Sequence, residues 1–412
     1  MTDLRPPFSA AVTGIGMVTA AGIGTAASWA RILRGEATAA GEVPALAGTR
    51  ADFGCQVPGF DPAAALGRRK AWRLDRSSQF ALAAAAEALA DSGLDPATWD
   101  GARVGVVIGS GIGGAATWEK QHHVLLDQGF DQVSPMLIPM LAVNMTAGYL
   151  AMECGARGPN FVVATACASG TTAIGTAREL LRSGTCDVVL TGGTEACLIP
   201  SIMSGFSQMG ALSGRRESPA TASRPFDVDR DGFVPAEGAA VLVLERPEDV
   251  RARGGGVHAL LSGYGASADA HHATAPDPEG RGAELALRTA LADAGVAADE
   301  VGHVNAHGTA TPLNDVTEAR MLRRVLGDRP AVTSVKGVVG HSLGAAGAIE
   351  AAVTALTLEH RVVPPTANLE SLDPAVELDV VAKAPRDLAD GPAVSTSFGF
   401  GGQNAVLVFE RA

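Results

Sequence analysis

The sequence predicts a layered α/β fold built from two similar halves. Apolar strand-like runs alternate with Ala-rich stretches of helical period, and two blocks recur in the same order. In the first half Ala88-Leu89-Ala90-Asp91-Ser92-Gly93 precedes Val104-Gly105-Val106-Val107-Ile108; in the second, Ala290-Leu291-Ala292-Asp293-Ala294-Gly295 precedes Val301-Gly302-His303-Val304-Asn305. Each half then closes on a similar apolar run, residues 240–245 and 405–410. The polar, flexible join Arg251-Ala252-Arg253-Gly254-Gly255-Gly256 divides the chain into halves 1–253 and 254–412. Residues 110–160 make the first half longer and read as an insertion of loops and helices. Such an insertion builds dimer contacts and substrate tunnels, or merely decorates the surface.

Composition narrows the function classes. The chain has 412 residues, enough for an extensive core. With 47% hydrophobic but only 4% aromatic residues, that core is made of Ala, Val and Leu. The net charge of −12 argues against nucleic acid as the principal partner. Five cysteines (55, 154, 167, 186 and 197) form no CxxC pair, so a disulfide framework is not expected and a reducing, cytoplasmic setting fits. Residues 1–7 lack the basic-then-apolar pattern of a signal peptide. No apolar run reaches the ~18 residues of a membrane span.

Three segments carry candidate chemistry. Val163-Ala164-Thr165-Ala166-Cys167-Ala168-Ser169-Gly170 takes an apolar strand into small residues and then a helix. A thiol at a helix N-terminus is expected to have a lowered pKa, beside backbone N–H groups that can hold an oxyanion. A buried structural cysteine is the alternative. His307, in Asn305-Ala306-His307-Gly308-Thr309, and His341, in Lys336-Gly337-Val338-Val339-Gly340-His341, both follow strand-like runs, where α/β folds gather their chemistry. Either histidine alone reads as well as a structural residue. Ser397-Phe398-Gly399-Phe400-Gly401-Gly402-Gln403-Asn404 is either a glycine loop beside an apolar surface or a tight turn before the last strand.

Together these segments resemble the β-ketoacyl-acyl carrier protein synthases of the elongating Cys-His-His type. The Thr165–Gly170 run, His307-Gly308-Thr309, Lys336 with Gly340-His341, and Phe398-Gly399-Phe400-Gly401-Gly402 carry the likeness. Ser223-Arg224-Pro225-Phe226-Asp227, Arg230-Asp231-Gly232-Phe233 and Val12-Thr13-Gly14-Ile15-Gly16-Met17 extend it over the whole chain. The resemblance implies a thiolase fold, a five-layer αβαβα sandwich of duplicated halves. It implies that Cys167 carries the acyl group and that His307 and His341, as neutral imidazoles, stabilise the enolate left when malonyl thioester decarboxylates. The backbone N–H groups of Cys167 and Phe400 would form the oxyanion hole, with Phe400 the gate in a loop completed by Phe398, Gly399 and Gly401. Lys336 would act electrostatically with Glu350 as its partner, Thr309 and Thr311 would bind the pantetheine arm, and Asp315 and Glu318 would be structural carboxylates near the site. No metal and no free cofactor is implied, because 4'-phosphopantetheine arrives on the carrier protein.

The partners implied are an acyl carrier protein and a second subunit, either an identical copy or a chain-length-factor-like chain. Arg68, Arg69, Lys70, Arg73 and Arg76 cluster as a docking patch for the acidic carrier, with Arg215 and Arg216 as a second candidate; a solvated helix face is the alternative. Fatty-acid and polyketide pathways are both open. Ala236 and Ala240 stand where the family commonly has Gly, and Pro312-Leu313-Asn314-Asp315 departs from the housekeeping pattern. A degradative thiolase would carry a second Cys in the 397–404 loop, and an initiating synthase would carry Asn in place of one His. A different class, an NAD-dependent oxidoreductase, is suggested by Gly109-Ser110-Gly111-Ile112-Gly113-Gly114 with Asp127 at the acidic position, although no second strand is apparent before it.

Overall fold

The computed structural model describes residues 8–49 and 52–412, so the segment 1–7 read above for a signal sequence lies outside the described residues. The first half supplies strands β1 (Ala10–Thr19), β2 (Val104–Gly109), β3 (Asn160–Val163), β4 (Val188–Glu195) and β5 (Gly238–Glu245). The second supplies β6 (Ala259–Ala268), β7 (His303–Asn305), β8 (Ala331–Thr333), β9 (Ala393–Gly399) and β10 (Gln403–Glu410). Strand order is β3-β2-β4-β5-β1 in one half and β8-β7-β9-β10-β6 in the other, the same permutation twice. Orientations repeat as well. The second strand of each half runs parallel to the third and fourth, and the fifth is antiparallel to both its neighbours. Antiparallel pairing of Ala10 with Leu261 and Val12 with Ala259 joins the two halves.

The helices complete five layers. α1 (Arg76–Ser92) covers the outer face of the first half, and α3 (Arg281–Ala294) covers that of the second, alongside α4 (Pro312–Leu326). Between the two halves of this continuous sheet lie α2 (Ser169–Arg182) and α5 (Ala346–His360), each touching strands of both halves. The period-2 pattern of β5 serves this arrangement: Ala240, Leu242 and Leu244 face the central helices, while Ala239, Val241 and Val243 face the outer core. Residues 346–358 of α5 are all buried, so a helix apolar on every side is what the middle layer requires.

Glycines explain why the repeated Ala-rich block works. A Cβ on Gly14 or Gly16 of β1 would lie 2.0 or 1.9 Å from the carbonyl oxygens of Ala88 and Ala84 in α1. On Gly263 or Gly265 of β6 it would lie 2.3 or 2.1 Å from those of Ala290 and Ala286 in α3. The halves thus pack helix on strand by the same close approach, and both helices end on a left-handed glycine, Gly93 and Gly295.

Two polar clusters fasten the layers. Arg178 of α2, fully buried, donates to the carbonyls of Phe8, Leu261 and Ser262 and pairs with Asp293 of α3 at 2.8 Å. His258 bridges Asp91 of α1 (2.8 Å) and Glu359 of α5 (2.7 Å). The 110–160 segment holds helices Ala115–Gln128, Leu137–Leu141 and Met145–Cys154, and exposes Leu126, Phe130 and Ile138. Among the described residues no helix is long and apolar enough to cross a membrane.

Candidate active site

Cys167 lies in the turn Ala166–Ala168 between β3 and α2. Ala166 takes a left-handed φ of 49°, a strained conformation for a residue with a Cβ, and Cys167 opens the way into the helix. The end of β9 presses against this turn: a Cβ on Gly399 would stand 2.6 Å from the Thr165 oxygen and 3.2 Å from the Cys167 nitrogen. Only glycine lets the Phe400 loop come so near. The Phe400 N–H consequently reaches the Cys167 sulfur.

His307 follows β7. Its backbone N–H is held by Glu318 (2.8 Å) and Thr396 (3.0 Å), and the N–H of Gly308 by Glu318 (2.8 Å). Asp315 accepts from the Phe226 N–H at 2.8 Å and faces Arg230 at 3.4 Å. Both carboxylates are therefore fasteners of backbone beside the site. His341 is placed by a strap from the first half: its N–H donates to Val234 O (2.8 Å), its carbonyl accepts from the Ala236 N–H (3.0 Å), and Phe233 packs edge-on to its ring.

The three candidate side chains Cys167, His307 and His341 meet. His341 Nε2 lies 3.2 Å from Cys167 Sγ, and the His307 and His341 rings stand perpendicular with centroids 5.5 Å apart. Lys336, 1% exposed, donates from Nζ to the His307 carbonyl (2.6 Å), faces His307 Nδ1 at 3.4 Å and pairs with Glu350. An ammonium opposite Nδ1 leaves that nitrogen as the acceptor, which puts the His307 proton on Nε2. Burial and the Lys336 charge hold both imidazoles well below the usual histidine range, so both are neutral; His341 adds to the effect on His307. Burial pushes the Glu350 carboxyl up to about 7 against the opposing pull of Lys336.

The thiol corrects one expectation. Burial pushes Cys167 up to about 12, against the pull of the Lys336 charge and the Phe400 N–H. Desolvation is the largest influence on this sulfur and favours the thiol.

A cavity of about 420 Å³ runs past these groups. Ile112, Phe206, Phe233 and Leu343 give it an apolar wall, and the more exposed Met209 and Leu313 line it as well. Thr309 and Thr311 line it with their hydroxyls 2.9 Å apart. Phe400 and Phe398 reach it too: Phe400 lies 6.3 Å from Phe206, and Phe398 stands edge-on to His307. Gly401, with φ 84°, turns the loop and donates its N–H to Ala273 O at 2.7 Å.

The basic cluster divides. Arg68, Arg69, Lys70 and Arg73 line one groove with Tyr149 and Met152. Arg76 leaves the patch, because it is fork-bonded to buried Glu237 at 2.6 and 2.8 Å and stacks on Phe80. Arg215 bonds the Asp229 carbonyl, Arg216 pairs with Asp52, and neither lines that groove.

The glycine-rich 109–114 loop is not arranged for a dinucleotide. Its Gly111 and Ile112 N–H groups donate at 2.7 and 3.3 Å to Glu195, and Asp127 lies inside the helix Ala115–Gln128 rather than at a strand end. Glu195 is a buried residue the sequence reading missed. Among the described residues no group of three or more His, Cys, Asp or Glu side chains could hold a metal ion.

A family model described as the N-terminal domain of beta-ketoacyl synthase matches residues 9–250, and one described as the C-terminal domain matches 258–370. The chain is 43% identical over 410 residues to a 3-oxoacyl-[acyl-carrier-protein] synthase 2 of Synechocystis sp., covering 97% of each chain. The solved ishigamide ketosynthase/chain length factor is 32% identical with a TM-score of 0.92, covering 98% of this chain and all of that one. A type II polyketide ketosynthase, solved with its acyl-carrier protein and bound to the hexaketide, is 31% identical with a TM-score of 0.89 and the same coverage.

Proposed function

This chain belongs to the β-ketoacyl synthase family, and on that premise we propose that it performs decarboxylative Claisen condensation between an acyl group on Cys167 and malonyl-carrier protein. The observation that carries the reading is two imidazoles and a thiol converging on one apolar cavity.

In acyl loading, Cys167 Sγ bonds to the acyl carbonyl and the pantetheine sulfur leaves. The thiol proton passes to that sulfur, so the step leaves both imidazoles in their neutral form. The carbonyl oxygen bears the negative charge meanwhile, toward the N–H groups of Cys167 and Phe400. Malonyl thioester then takes the arm's place, with Thr309 and Thr311 holding the arm. Its carbon–carboxylate bond breaks, CO₂ departs, and the electron pair delocalises onto the thioester oxygen, where His307 Nε2–H and His341 stabilise it. Neutral donors suit this step, and Lys336 fixes the His307 tautomer from behind. The carbanion attacks the acyl carbonyl, the bond to Cys167 sulfur breaks, and the thiolate takes a proton from solvent water. The product is a β-ketoacyl thioester two carbons longer. No step calls on a metal or a free cofactor.

The carrier protein docks on the groove of Arg68, Arg69, Lys70 and Arg73, and the arm enters the cavity past Phe400. Arg215 and Arg216 are a second contact. A dimer forms through the 110–160 segment, whose exposed Leu126, Phe130 and Ile138 need a cover. The partner is a second copy or a chain-length-factor-like chain, and the ishigamide relative supports the latter. The halves divide at 253/254, and the protein works in the cytoplasm in fatty acid or polyketide synthesis.

Acyl transfer followed by mass spectrometry tests the reading. Cys167→Ala is expected to abolish loading and condensation, and Cys167→Gln to keep malonyl decarboxylation. Condensation by Cys167→Ala would overturn it.

A further inference from the structure

The two halves present the same local design twice, with different occupants. The turn Ala166–Ala168 leads into α2, and the turn Leu343–Ala345 leads into α5. Each begins on a non-glycine residue in the left-handed region, Ala166 at φ 49° and Leu343 at φ 46°. Gly344 therefore stands where Cys167 stands in the other half.

The fourth strand of each half ends against one of these turns. β9 brings Gly399 and Phe400 to Cys167, whereas β4 brings Glu195 to Gly344. Glu195 is completely buried, and its two oxygens take four donors: the N–H groups of Gly111 (2.7 Å), Ile112 (3.3 Å) and Gly344 (3.3 Å) and the hydroxyl of Ser110 (3.2 Å). There is no room for anything else. A Cβ on Gly344 would lie 2.5 Å from the Gly111 nitrogen and 2.6 Å from Glu195 Oε2.

The clasp holds two pieces of the acyl cavity. Ile112 donates to it directly, and Leu343 adjoins Gly344; both side chains line the cavity with Cys167. One comes from a loop of the first half, the other from a turn of the second. A left-handed Leu persists only where its surroundings fix it, and the Gly344 N–H bond is part of that fixing. We infer that Glu195 is a positioning residue: by clasping the 110–112 loop to the 343–344 turn it sets the shape of the apolar wall and so the choice of acyl chain.

This inference rests on the ketosynthase reading above, and the test separates the two. Loading rates on Cys167 are measured by mass spectrometry for saturated acyl groups of increasing length on carrier protein. Wild type, Glu195→Asp and Glu195→Gln are compared, with malonyl decarboxylation measured on each. Gln brings an N–H₂ among N–H donors, so its chain-length profile should flatten, the ratio of best to worst chain falling about tenfold. Asp keeps a carboxylate and should restore part of the ratio. Decarboxylation, which draws on His307 and His341, should stay within about twofold of wild type. An unchanged profile, or equal loss for all chains together with decarboxylation, would overturn the inference. If Glu195→Gln fails to fold, Ser110→Ala removes one of the four donors to Glu195, together with the acceptor of the Gly113 N–H, and should shift the profile the same way; no shift would overturn it. Wild type that loads no acyl group on Cys167 would bring down the ketosynthase reading and this inference with it.

Discussion

The turn at Cys167 and the turn at Gly344 share a backbone, yet one opens on a cavity and the other is sealed. The difference lies in what the neighbouring fourth strand delivers. At Cys167 it delivers a glycine and an aromatic side chain, which leave a cavity beside the sulfur. At Gly344 it delivers a carboxylate whose oxygens take up the backbone donors. A duplicated fold offers two places with N–H groups aimed into a gap between halves. Chemistry needs one left open, and packing needs the other filled.

Substitutions at the open turn should have the largest effects. Cys167→Ala should lower condensation by about 10⁴-fold or more, the scale of losing a nucleophile, read as product formation. Lys336 comes next. Lys336→Met removes a charge that depresses the His307 pKa, so that pKa rises and the acid limb of the decarboxylation profile moves to higher pH. The rate at neutral pH should fall about 10²-fold as the His307 tautomer is released. Pairing the change with Glu350→Gln, which removes the unpaired carboxyl, should recover folding but not the original pH limb.

At the closed turn the effect should be on stability. Gly344→Ala forces a methyl against backbone atoms and should cost about 3 kcal/mol, measured by denaturant unfolding. The smallest effect concerns neither turn but the tie between layers. Burial would lower the His258 pKa, but Asp91 and Glu359 override it and raise it to about 9 from 6.5. A raised folded-state pKa means its stabilisation is full below pH 6.5 and is lost as pH rises through about 9. Unfolding measured from pH 6 to 10 should show a loss that His258→Gln removes, about 2 kcal/mol because solvent screens the partly exposed Asp91 and Glu359 carboxylates.

Much of the open site was legible in the sequence because its residues lie in short, glycine-marked turns after strand-like runs. Cys167, His307, His341 and Phe400 come together as the motif order implies, and Glu350 does meet Lys336. The repeated Ala-rich block was visible too, though not the glycine pairs 14/16 and 263/265 that explain it. Glu195 was not legible. A lone Glu closing a strand has no local signature, and its partners lie 84 residues upstream and 149 downstream. The strap from Val234 to Ala236 escaped for the same reason. The upward push on the Cys167 thiol was not legible because desolvation, its largest cause, depends on the folded surroundings. Arg76 joined a basic run on paper, and only the fold reveals that Glu237 claims it.

In the proposed reaction Cys167 holds the acyl chain while the two imidazoles make the carbanion. Intact-protein and peptide mass spectrometry with an acyl-carrier protein, followed by malonyl-carrier protein, tests it most directly. An acyl mass is expected on the peptide bearing Cys167, discharged on malonyl addition as a β-ketoacyl thioester two carbons longer with loss of CO₂. An acyl group on another residue, or one that malonyl-carrier protein leaves in place, would contradict it.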